Sequence, residues 1–322
     1  MQYKPLGNSG IEVSVVGFGA WGIGGRTPGA TSYGETDDDM SLNALAEALD
    51  RGITFYDTAN VYGDGHSEEL IGTCFKGRRD RVVIATKAGI LPSFKGYDFS
   101  PAALRASVEG SLRRLQTDYV DVLQLHNVEP AIVLNQSEIS DLLGSLVREG
   151  KVRAYGFSTP SPQDAIALLA VPHIDCVQVN LNVLDWRGID SGMFDAAKSR
   201  RIGIIARTPL AFGFLTGRFD KNAKFPSDDH RSKWPQERIA AWIDAANLVF
   251  AAMDVDAGES ARVAVALRFC LSFEAVVTVI PGMLSAEEVR INVAAAEGGP
   301  LNPTQLRMIE DLYRANHTRL EG

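Results

Sequence analysis

The sequence has few cysteines, no long apolar run and no excess of basic residues, and each shortage argues against a class of protein. Only three of the 322 residues are cysteine (Cys74, Cys176 and Cys270), an odd number without the spacing of metal ligands. We therefore expect free thiols in a reducing cytoplasm, with neither a disulfide framework nor a metal site. No apolar run approaches the ~20 residues of a membrane helix, and the first residues lack the basic-then-apolar order of a signal peptide. The net charge of −8 argues against a nucleic-acid surface.

Short apolar segments alternate along the chain with segments of helical spacing. A hairpin is predicted over residues 2–13, followed by a glycine-rich strand within 13–22. Further strands are predicted at 53–57, 81–87, 119–126, 152–158, 174–180, 202–208 and 275–280, and helices at 40–52, 67–77, 101–116, 137–150, 161–170, 188–201, 261–273, 285–297 and 303–316. Such alternation predicts a parallel sheet that is covered on both faces. Eight units favour a (β/α)8 TIM barrel that forms one domain over residues 1–322.

The stretch after the seventh strand, residues 209–260, is far longer than an ordinary connection. Its polar part, DKNAKFPSDDHRSKWPQ, is interrupted by prolines. We interpret it as a mobile flap or a binding loop, because it follows a strand on the side where barrel sites are built. An inert surface excursion is the alternative.

Residues 53–69 (ITFYDTANVYGDGHSEE) carry the first sign of a functional site. An apolar strand stops at Asp57 and opens into a polar, glycine-rich loop that contains Tyr62. Two later predicted strands end in the same way, at Lys87 and His126. Barrel enzymes place their chemistry at the carboxyl ends of strands, so we expect these four side chains to meet.

Together the four side chains have the chemistry of proton transfer to a carbonyl group. Free tyrosine titrates near ~10, and we expect the Lys87 ammonium to lower the pKa of Tyr62. Asp57 would hold Lys87 charged and oriented, and His126 would donate to a substrate oxygen or relay a proton. Tyr62 would then protonate a carbonyl as it becomes an alkoxide, and accept that proton in the reverse direction. A barrel lyase or isomerase with a Schiff base on Lys87 is an alternative.

Several segments resemble the signature blocks of the aldo-keto reductase superfamily. They are FYDTANVYGDGHSEELIG, the TK of IATKAG, DVLQLH, GFST and PLAFGFLTGRF, and the match runs in family order from PLGNSGIEVSVVGFGAWG to IPGMLSAEEVRIN. The resemblance implies a TIM barrel that uses NADPH or NADH without a Rossmann domain. It also implies a catalytic tetrad of Asp57, Tyr62, Lys87 and His126. The GxG at Gly17–Gly19 lacks the third glycine of a Rossmann fingerprint, and we expect it to allow close packing at the barrel mouth.

The resemblance further implies a set of cofactor contacts. Ser158 and Gln178 fall where the family binds the nicotinamide carboxamide. Thr159 stands where an asparagine is common, and Arg207 stands where an aromatic residue usually stacks on the nicotinamide, a role that a planar guanidinium can also fill. The residues that match the pyrophosphate side are Pro209, Leu210, Gly213, Leu215 and Gly217.

The segment IPGMLSAEEVRIN matches the adenosine end of the cofactor site. Its matched residues are Gly282, Leu284, Glu288 and Asn292. Ser285 and Glu288 form an S-x-x-E capping box, and a helix N-terminus there can hold an anion. Arg290 is the only nearby cation, whereas family members that prefer NADP usually carry Lys or Arg in this stretch. We take NADP(H) as the family default and NAD(H) as the alternative, because Glu288 can repel a 2′-phosphate or accept from a ribose hydroxyl.

These observations predict NAD(P)H-dependent reduction of an aldehyde or ketone, or the reverse oxidation of an alcohol. The alternative is a nicotinamide-binding regulatory or scaffold protein that resembles potassium-channel β subunits. Trp21 and Asn127 are predicted to line the substrate pocket, and aromatic loop residues favour an apolar carbonyl compound. We expect a small-molecule carbonyl or alcohol as the partner, and neither nucleic acid nor a membrane. No distinct apolar patch in the sequence predicts an oligomer.

Overall fold

Short strands and longer helices alternate along the chain, as the apolar pattern predicts. The computed structural model describes residues 1–316. Its strands are β1 (Tyr3–Pro5), β2 (Glu12–Ser14), β3 (Phe18–Gly19), β4 (Phe55–Asp57), β5 (Val83–Ala88), β6 (Val120–His126), β7 (Val152–Ser158), β8 (Cys176–Asn180), β9 (Gly203–Arg207) and β10 (Val276–Val279). Its helices are α1 (Asp38–Asp50), α2 (His66–Phe75), α3 (Pro101–Arg114), α4 (Pro130–Leu134), α5 (Ser137–Arg148), α6 (Pro162–Leu168), α7 (Arg187–Asp190), α8 (Met193–Ser199), α9 (Gln236–Ala252), α10 (Glu259–Leu271), α11 (Ala286–Glu297) and α12 (Pro303–Asn316). Each predicted strand and helix has a counterpart, and the helix predicted at 188–201 is divided into α7 and α8.

Strands β3 to β10 form one eight-stranded sheet in chain order, and each neighbouring pair is parallel. The two edges of this sheet also meet. Parallel bridges join Val16 to Val279 and Gly19 to Gly282. The sheet therefore closes on itself with helices outside it, which confirms the predicted (β/α)8 barrel.

The amino-terminal hairpin closes one end of the barrel interior. Strands β1 and β2 pair antiparallel, as predicted. Leu6, Ile11 and Val13 of the hairpin are buried in one apolar cluster with interior side chains of the barrel strands, including Phe55 and Val122. Since this cluster fills the amino-terminal end, the polar groups of the interior lie toward the carboxyl ends of the strands.

The sequence predicts that Gly17 and Gly19 allow close packing at the barrel mouth, and the structure places both beside the junction of β3 with β10. A Cβ atom on Gly17 would come within 2.7 Å of Phe55 Cδ1, and one on Gly19 would come within 2.7 Å of the Ile280 carbonyl oxygen. Distances this short force something to shift. The prediction that this GxG serves packing is confirmed.

Residues 209–260 contain the 17-residue helix α9, which the sequence prediction left inside an unassigned segment. The prolines and polar residues before it hid a helical pattern whose buried positions include Ile239, Ile243, Ala246 and Phe250. The polar part before α9 lies against the loop that follows β3, because His230 N donates to the Ser32 carbonyl at 2.8 Å. This part of the segment is therefore packed against another loop of the barrel, which favours a binding loop over an inert surface excursion. Among residues 1–316, no helix has the length and apolar character to cross a membrane.

Candidate active site

Interior side chains of the barrel strands become polar toward the carboxyl ends. On β6, Val122 belongs to the interior apolar cluster, Gln124 comes two residues later and His126 ends the strand. Strand side chains repeat with a period of two, so these three share one face. In the register of the sheet, Lys87 lies beside Gln124 and His126 beside Ser158. The alternation thus gathers polar side chains of distant segments into one layer.

The Lys87 side chain is fully buried, and its ammonium has three hydrogen-bond acceptors. Its Nζ forms an ion pair with Asp57 Oδ1 and donates to the Thr58 carbonyl at 2.9 Å and to Tyr62 Oη at 3.3 Å. An ammonium has three N–H donors, and three acceptors surround it here. A charged, fully bonded amine is a poor nucleophile, so the geometry argues against the Schiff-base alternative.

The second carboxylate oxygen of Asp57 is held by two glutamines. Gln124 Nε2 donates to Asp57 Oδ2 at 3.0 Å and Gln178 Nε2 donates to it at 2.7 Å. Asp57 is therefore fixed between Lys87 on one oxygen and two amides on the other. The sequence prediction missed Gln124, although its position two residues before His126 on a strand places it on the same face.

Tyr62 opens a short turn, Tyr62–Gly65, directly above the Asp57–Lys87 pair. Gly24 packs on the Tyr62 backbone so closely that a Cβ there would come within 2.8 Å of the Tyr62 carbonyl carbon. Burial raises the pKa of Tyr62, and the Lys87 ammonium beside it lowers that pKa by less. The predicted lowering by Lys87 is therefore present, but the sequence prediction did not include burial, and removal of the phenol from water outweighs the attraction of the ammonium.

His126 lies opposite Tyr62, with the two ring centroids 5.9 Å apart and the ring planes nearly perpendicular. Burial, together with the positive charges of Lys87 and Arg207, holds its pKa well below the usual value. His126 is therefore neutral at physiological pH and carries one N–H donor. Its Nδ1 is buried and has no hydrogen-bond partner among residues 1–316.

Arg207 ends β9 and reaches across the ends of three neighbouring strands. Its Nε donates to Asn180 Oδ1 at 2.7 Å, and its Nη1 donates to Ser158 Oγ at 2.8 Å and to Asn127 Oδ1 at 3.3 Å. Asn180, two residues after Gln178 on β8, is a further interior residue that the same alternation predicts but the sequence prediction omitted.

A cavity of about 740 Å³ begins at this polar layer and extends to the start of α11. Predicted residues on its wall are Trp21, Asp57, Tyr62, His126, Asn127, Gln178, Arg207, Pro209, Leu210, Gly213, Gly282, Leu284, Glu288 and Asn292. Lys87, Ser158, Thr159, Leu215 and Gly217 do not line it. Leu215 is buried in the main apolar core. Ser158 accepts a hydrogen bond from Arg207, which does line the cavity. The wall also includes His230 and Arg218, which the sequence prediction missed. Arg218 directly follows the predicted cofactor residue Gly217, whereas no pattern in the sequence pointed to His230.

One end of the cavity carries two carboxylates that share one arginine. Arg218 Nε pairs with Glu259 at 2.7 Å, and Arg218 Nη1 pairs with Glu288 Oε1 at 2.5 Å. Glu288 Oε2 accepts from the Leu284 backbone N–H at 2.7 Å, and Ser285 caps α11 as predicted. Arg290 instead points to Glu47, with Nη1 3.2 Å from Glu47 Oε1. The cation at this end is therefore Arg218, from a distant loop, and not Arg290.

The other end of the cavity, beyond Tyr62, is walled by aromatic rings. Trp21, Tyr33, Phe212, His230 and Trp234 line it. The Trp21 and His230 centroids are 4.7 Å apart, and Trp21 Nε1 donates to the Thr31 carbonyl at 3.0 Å. Burial is the main cause that lowers the pKa of His230 to about 4, so this ring is neutral. This part of the wall therefore presents mainly apolar ring faces to a substrate, and the charge of Arg231 there is paired with Asp229.

An eight-stranded barrel that gathers an acid, an amine, a phenol and an imidazole at its carboxyl mouth has the layout of the barrel enzymes. Comparison with known proteins identifies the family. The model of the "Aldo/keto reductase family" matches residues 15–314. The chain is 35% identical over 256 residues to aldo-keto reductase YhdN of Bacillus subtilis, covering 77% of this chain and 74% of that protein. It is 30% identical to the NADH-specific methylglyoxal reductase of Escherichia coli, with 92% and 93% covered.

A solved structure agrees with these relatives. The holo form of an aldo-keto reductase from Bacillus halodurans superposes with a TM-score of 0.80 at 28% identity, covering 97% of this chain and 96% of that one. The chain belongs to the aldo/keto reductase family. It is an NAD(P)-dependent oxidoreductase that acts on carbonyl groups.

Proposed function

We propose that the chain reduces an aldehyde or ketone with Tyr62 as the general acid, and that Tyr62 acts as the general base in the reverse oxidation. The observation that carries this proposal is the contact of Tyr62 Oη with Lys87 Nζ at 3.3 Å, on the wall of a cavity that His126 also lines. A buried phenol that is bonded to an ammonium can release its proton and remain as a stabilised phenolate. The predicted tetrad thus supports one proton-transfer centre.

The cavity fits a nicotinamide dinucleotide beside a small substrate. Its volume of about 740 Å³ is in the range of ligand sites, and it runs continuously from Tyr62 to Asn292. Gln178 and Arg207 would hold the nicotinamide end, with Ser158 behind Arg207. Leu210 and Gly213 lie along the middle of the cavity and Glu288 at the far end. When bound, the cofactor supplies the hydride.

Side chains of the protein then supply the proton and stabilise the charges that form when it moves. A carbonyl oxygen between Tyr62 and His126 receives the phenol proton and a hydrogen bond from the neutral imidazole. Lys87 stabilises the resulting phenolate, Asp57 keeps Lys87 in place, and the phenol is restored by a proton from solvent. The aromatic wall excludes water from the reacting atoms, which strengthens these interactions.

The regulatory or scaffold alternative gains no support from the structure. A protein that only bound the nucleotide would not need Asp57 to be fixed by three donors beneath a phenol. We also propose that the chain acts as one catalytic domain, because every group on the cavity wall belongs to a single barrel. The three free cysteines support an expected cytoplasmic location.

We infer that NAD(H) is preferred over NADP(H). Around Arg218 two carboxylates, Glu259 and Glu288, face one cation, so this end of the cavity is already acidic. A 2′-phosphate would add negative charge next to Glu288. A ribose 2′-hydroxyl could instead donate to that carboxylate. The substrate end favours a neutral apolar carbonyl, since aromatic rings form most of its wall and the charge of Arg231 is paired with Asp229.

The first prediction is therefore that purified protein oxidises NADH in the presence of neutral aromatic or aliphatic aldehydes. We expect a Kd for NADH at least about tenfold lower than for NADPH, a difference of ~1.4 kcal/mol. Replacing Glu288 by Gln keeps an acceptor for the Leu284 N–H and removes one negative charge. The variant should therefore bind NADPH more tightly, which brings the dissociation constants of NADPH and NADH closer together. Titrations of both cofactors, followed by steady-state assays with neutral and phosphorylated aldehydes, measure these effects.

Glu47→Gln is the matched control, because Glu47 pairs with Arg290 and does not line the cavity. It should leave the ratio of the two dissociation constants unchanged. Tighter binding of NADPH than of NADH by the wild-type protein would contradict the cofactor preference. Absence of turnover with every aldehyde would contradict the proposed reaction.

The pH dependence gives a second prediction. The general acid must be protonated in the reductive direction, and burial raises the pKa of Tyr62, so the phenol stays protonated well into the alkaline range. The lowered pKa of His126 keeps the imidazole neutral. We expect the reductive rate constant to be flat between about pH 6 and pH 9 and to fall only at higher pH. Single-turnover measurements keep cofactor release from masking the proton-transfer step. A fall centred near pH 7 would assign the proton to another group.

A further inference from the structure

Arg207 is a cation without an anion at the centre of the cavity. Its three hydrogen-bond acceptors, on Asn180, Ser158 and Asn127, are all neutral oxygens. Among residues 1–316 no carboxylate forms an ion pair with it. Its Nη2 has no hydrogen-bond partner in that part of the chain and is not among the fully buried nitrogens, so it faces the cavity that Arg207 lines.

The charge of Arg207 is not cancelled by the rest of the polar layer. Two cations, Lys87 and Arg207, stand against one carboxylate, Asp57, whose oxygens are already engaged by Lys87, Gln124 and Gln178. His126, which lines the same cavity, adds no negative charge. The cavity wall formed by this polar layer therefore carries a net positive charge.

This charge distinguishes the two redox states of a nicotinamide. The oxidised ring is a pyridinium cation and the reduced ring is neutral, whereas the phosphates carry the same charge in both states. A ring that lies near Tyr62, as the proposed reaction requires, also lies near the guanidinium of Arg207, because both side chains line the same cavity and the Arg207 charge acts on the Tyr62 phenol. Unit charges a few ångströms apart in a partly buried site interact strongly.

Resting on the proposed function, we propose that Arg207 selects the reduced cofactor by repelling the oxidised ring, and so favours carbonyl reduction over alcohol oxidation. The wild-type protein should bind NADH at least about tenfold more tightly than NAD+, which corresponds to ~1.4 kcal/mol. Ejection of the oxidised cofactor after turnover becomes easier for the same reason. Arg207 is thus a determinant of redox-state specificity, and its action needs no contact with the substrate.

The test is the ratio of the two dissociation constants, measured by calorimetry for NADH and for NAD+ without substrate. Arg207→Gln keeps hydrogen-bonding groups but removes the charge, and should reduce the ratio about tenfold, chiefly through tighter NAD+ binding. Arg207→Lys keeps the charge and should retain most of the ratio. Arg218→Gln is the control: it removes a cation from the far end of the cavity and should change both constants by the same factor.

The possible outcomes separate this inference from the proposed function. If the wild-type protein binds neither form, the proposed function fails and the inference fails with it. If both forms bind and the ratio is the same in wild type, Arg207→Gln and Arg207→Lys, only the role of Arg207 is overturned. Thermal unfolding of each variant shows that binding is measured on folded protein.

Discussion

Replacing Tyr62 by Phe is expected to lower the turnover number for carbonyl reduction by about 10²–10⁴-fold while the affinity for the cofactor stays within a few-fold of wild type. The change removes one oxygen atom, the one that Lys87 contacts at 3.3 Å. The ring, its packing against His126 and the Tyr62–Gly65 turn remain. Because the carbonyl then has no proton donor at this position, the loss falls on the chemical step. Single-turnover rates and cofactor titrations measure the two effects separately.

Tyr33→Phe is the matched control for this prediction. Tyr33 lines the same cavity, and its ring centroid lies 4.9 Å from that of His230. No lysine within residues 1–316 contacts its phenol: the cation over its ring is Arg231, which is bound to Asp229. We expect the turnover number of this variant to stay near that of wild type. If Tyr62→Phe and Tyr33→Phe lose activity equally, the loss reflects the wall of the cavity and not a proton donor.

The sequence was sufficient to predict that the four tetrad side chains come together. Each of Asp57, Lys87 and His126 lies at the end of an apolar strand, and strand alternation with parallel pairing is enough to bring them together. Gln124 and Asn180 obey the same rule, and a stricter count of alternate positions would have included them. This part of the site is local in origin, since each position depends only on its own strand and its register.

The features that escaped prediction depend on distant segments. The sign of the Tyr62 pKa shift depends on how completely residues from a distant segment, such as Trp21 and Gly24, remove the phenol from water, and the sequence around Tyr62 does not reveal this. Likewise, Arg218 meets Glu259 and Glu288 only because the loop after β9 folds back over the start of α11. His230 joins the aromatic wall through a contact with Ser32, from a distant part of the sequence. Burial and long-range charge pairing are properties of the closed barrel.

Replacing Lys87 by Met should abolish most activity and also destabilise the protein. The variant leaves the Asp57 carboxylate buried with its two glutamine donors but without its cation, and an uncompensated buried charge costs about 3–5 kcal/mol of folding free energy. It also removes the group that stabilises the Tyr62 phenolate. Thermal or urea unfolding measures the first effect, and single-turnover rates measure the second. Lys198→Met is the control: it removes a lysine from an exposed ion pair with Glu274 and should change neither the stability nor the single-turnover rate.

The double variant Asp57→Asn with Lys87→Met separates the two roles of the lysine. The introduced asparagine keeps a carbonyl oxygen for the amides of Gln124 and Gln178 but has no charge to compensate, so most of the lost stability should return. Activity should not return, since no ammonium lies beside the phenol. A double variant that regained the wild-type rate would mean that Lys87 acts only as a structural partner of Asp57. One that regained neither stability nor rate would mean that the ammonium is needed for packing around Thr58 as well as for charge.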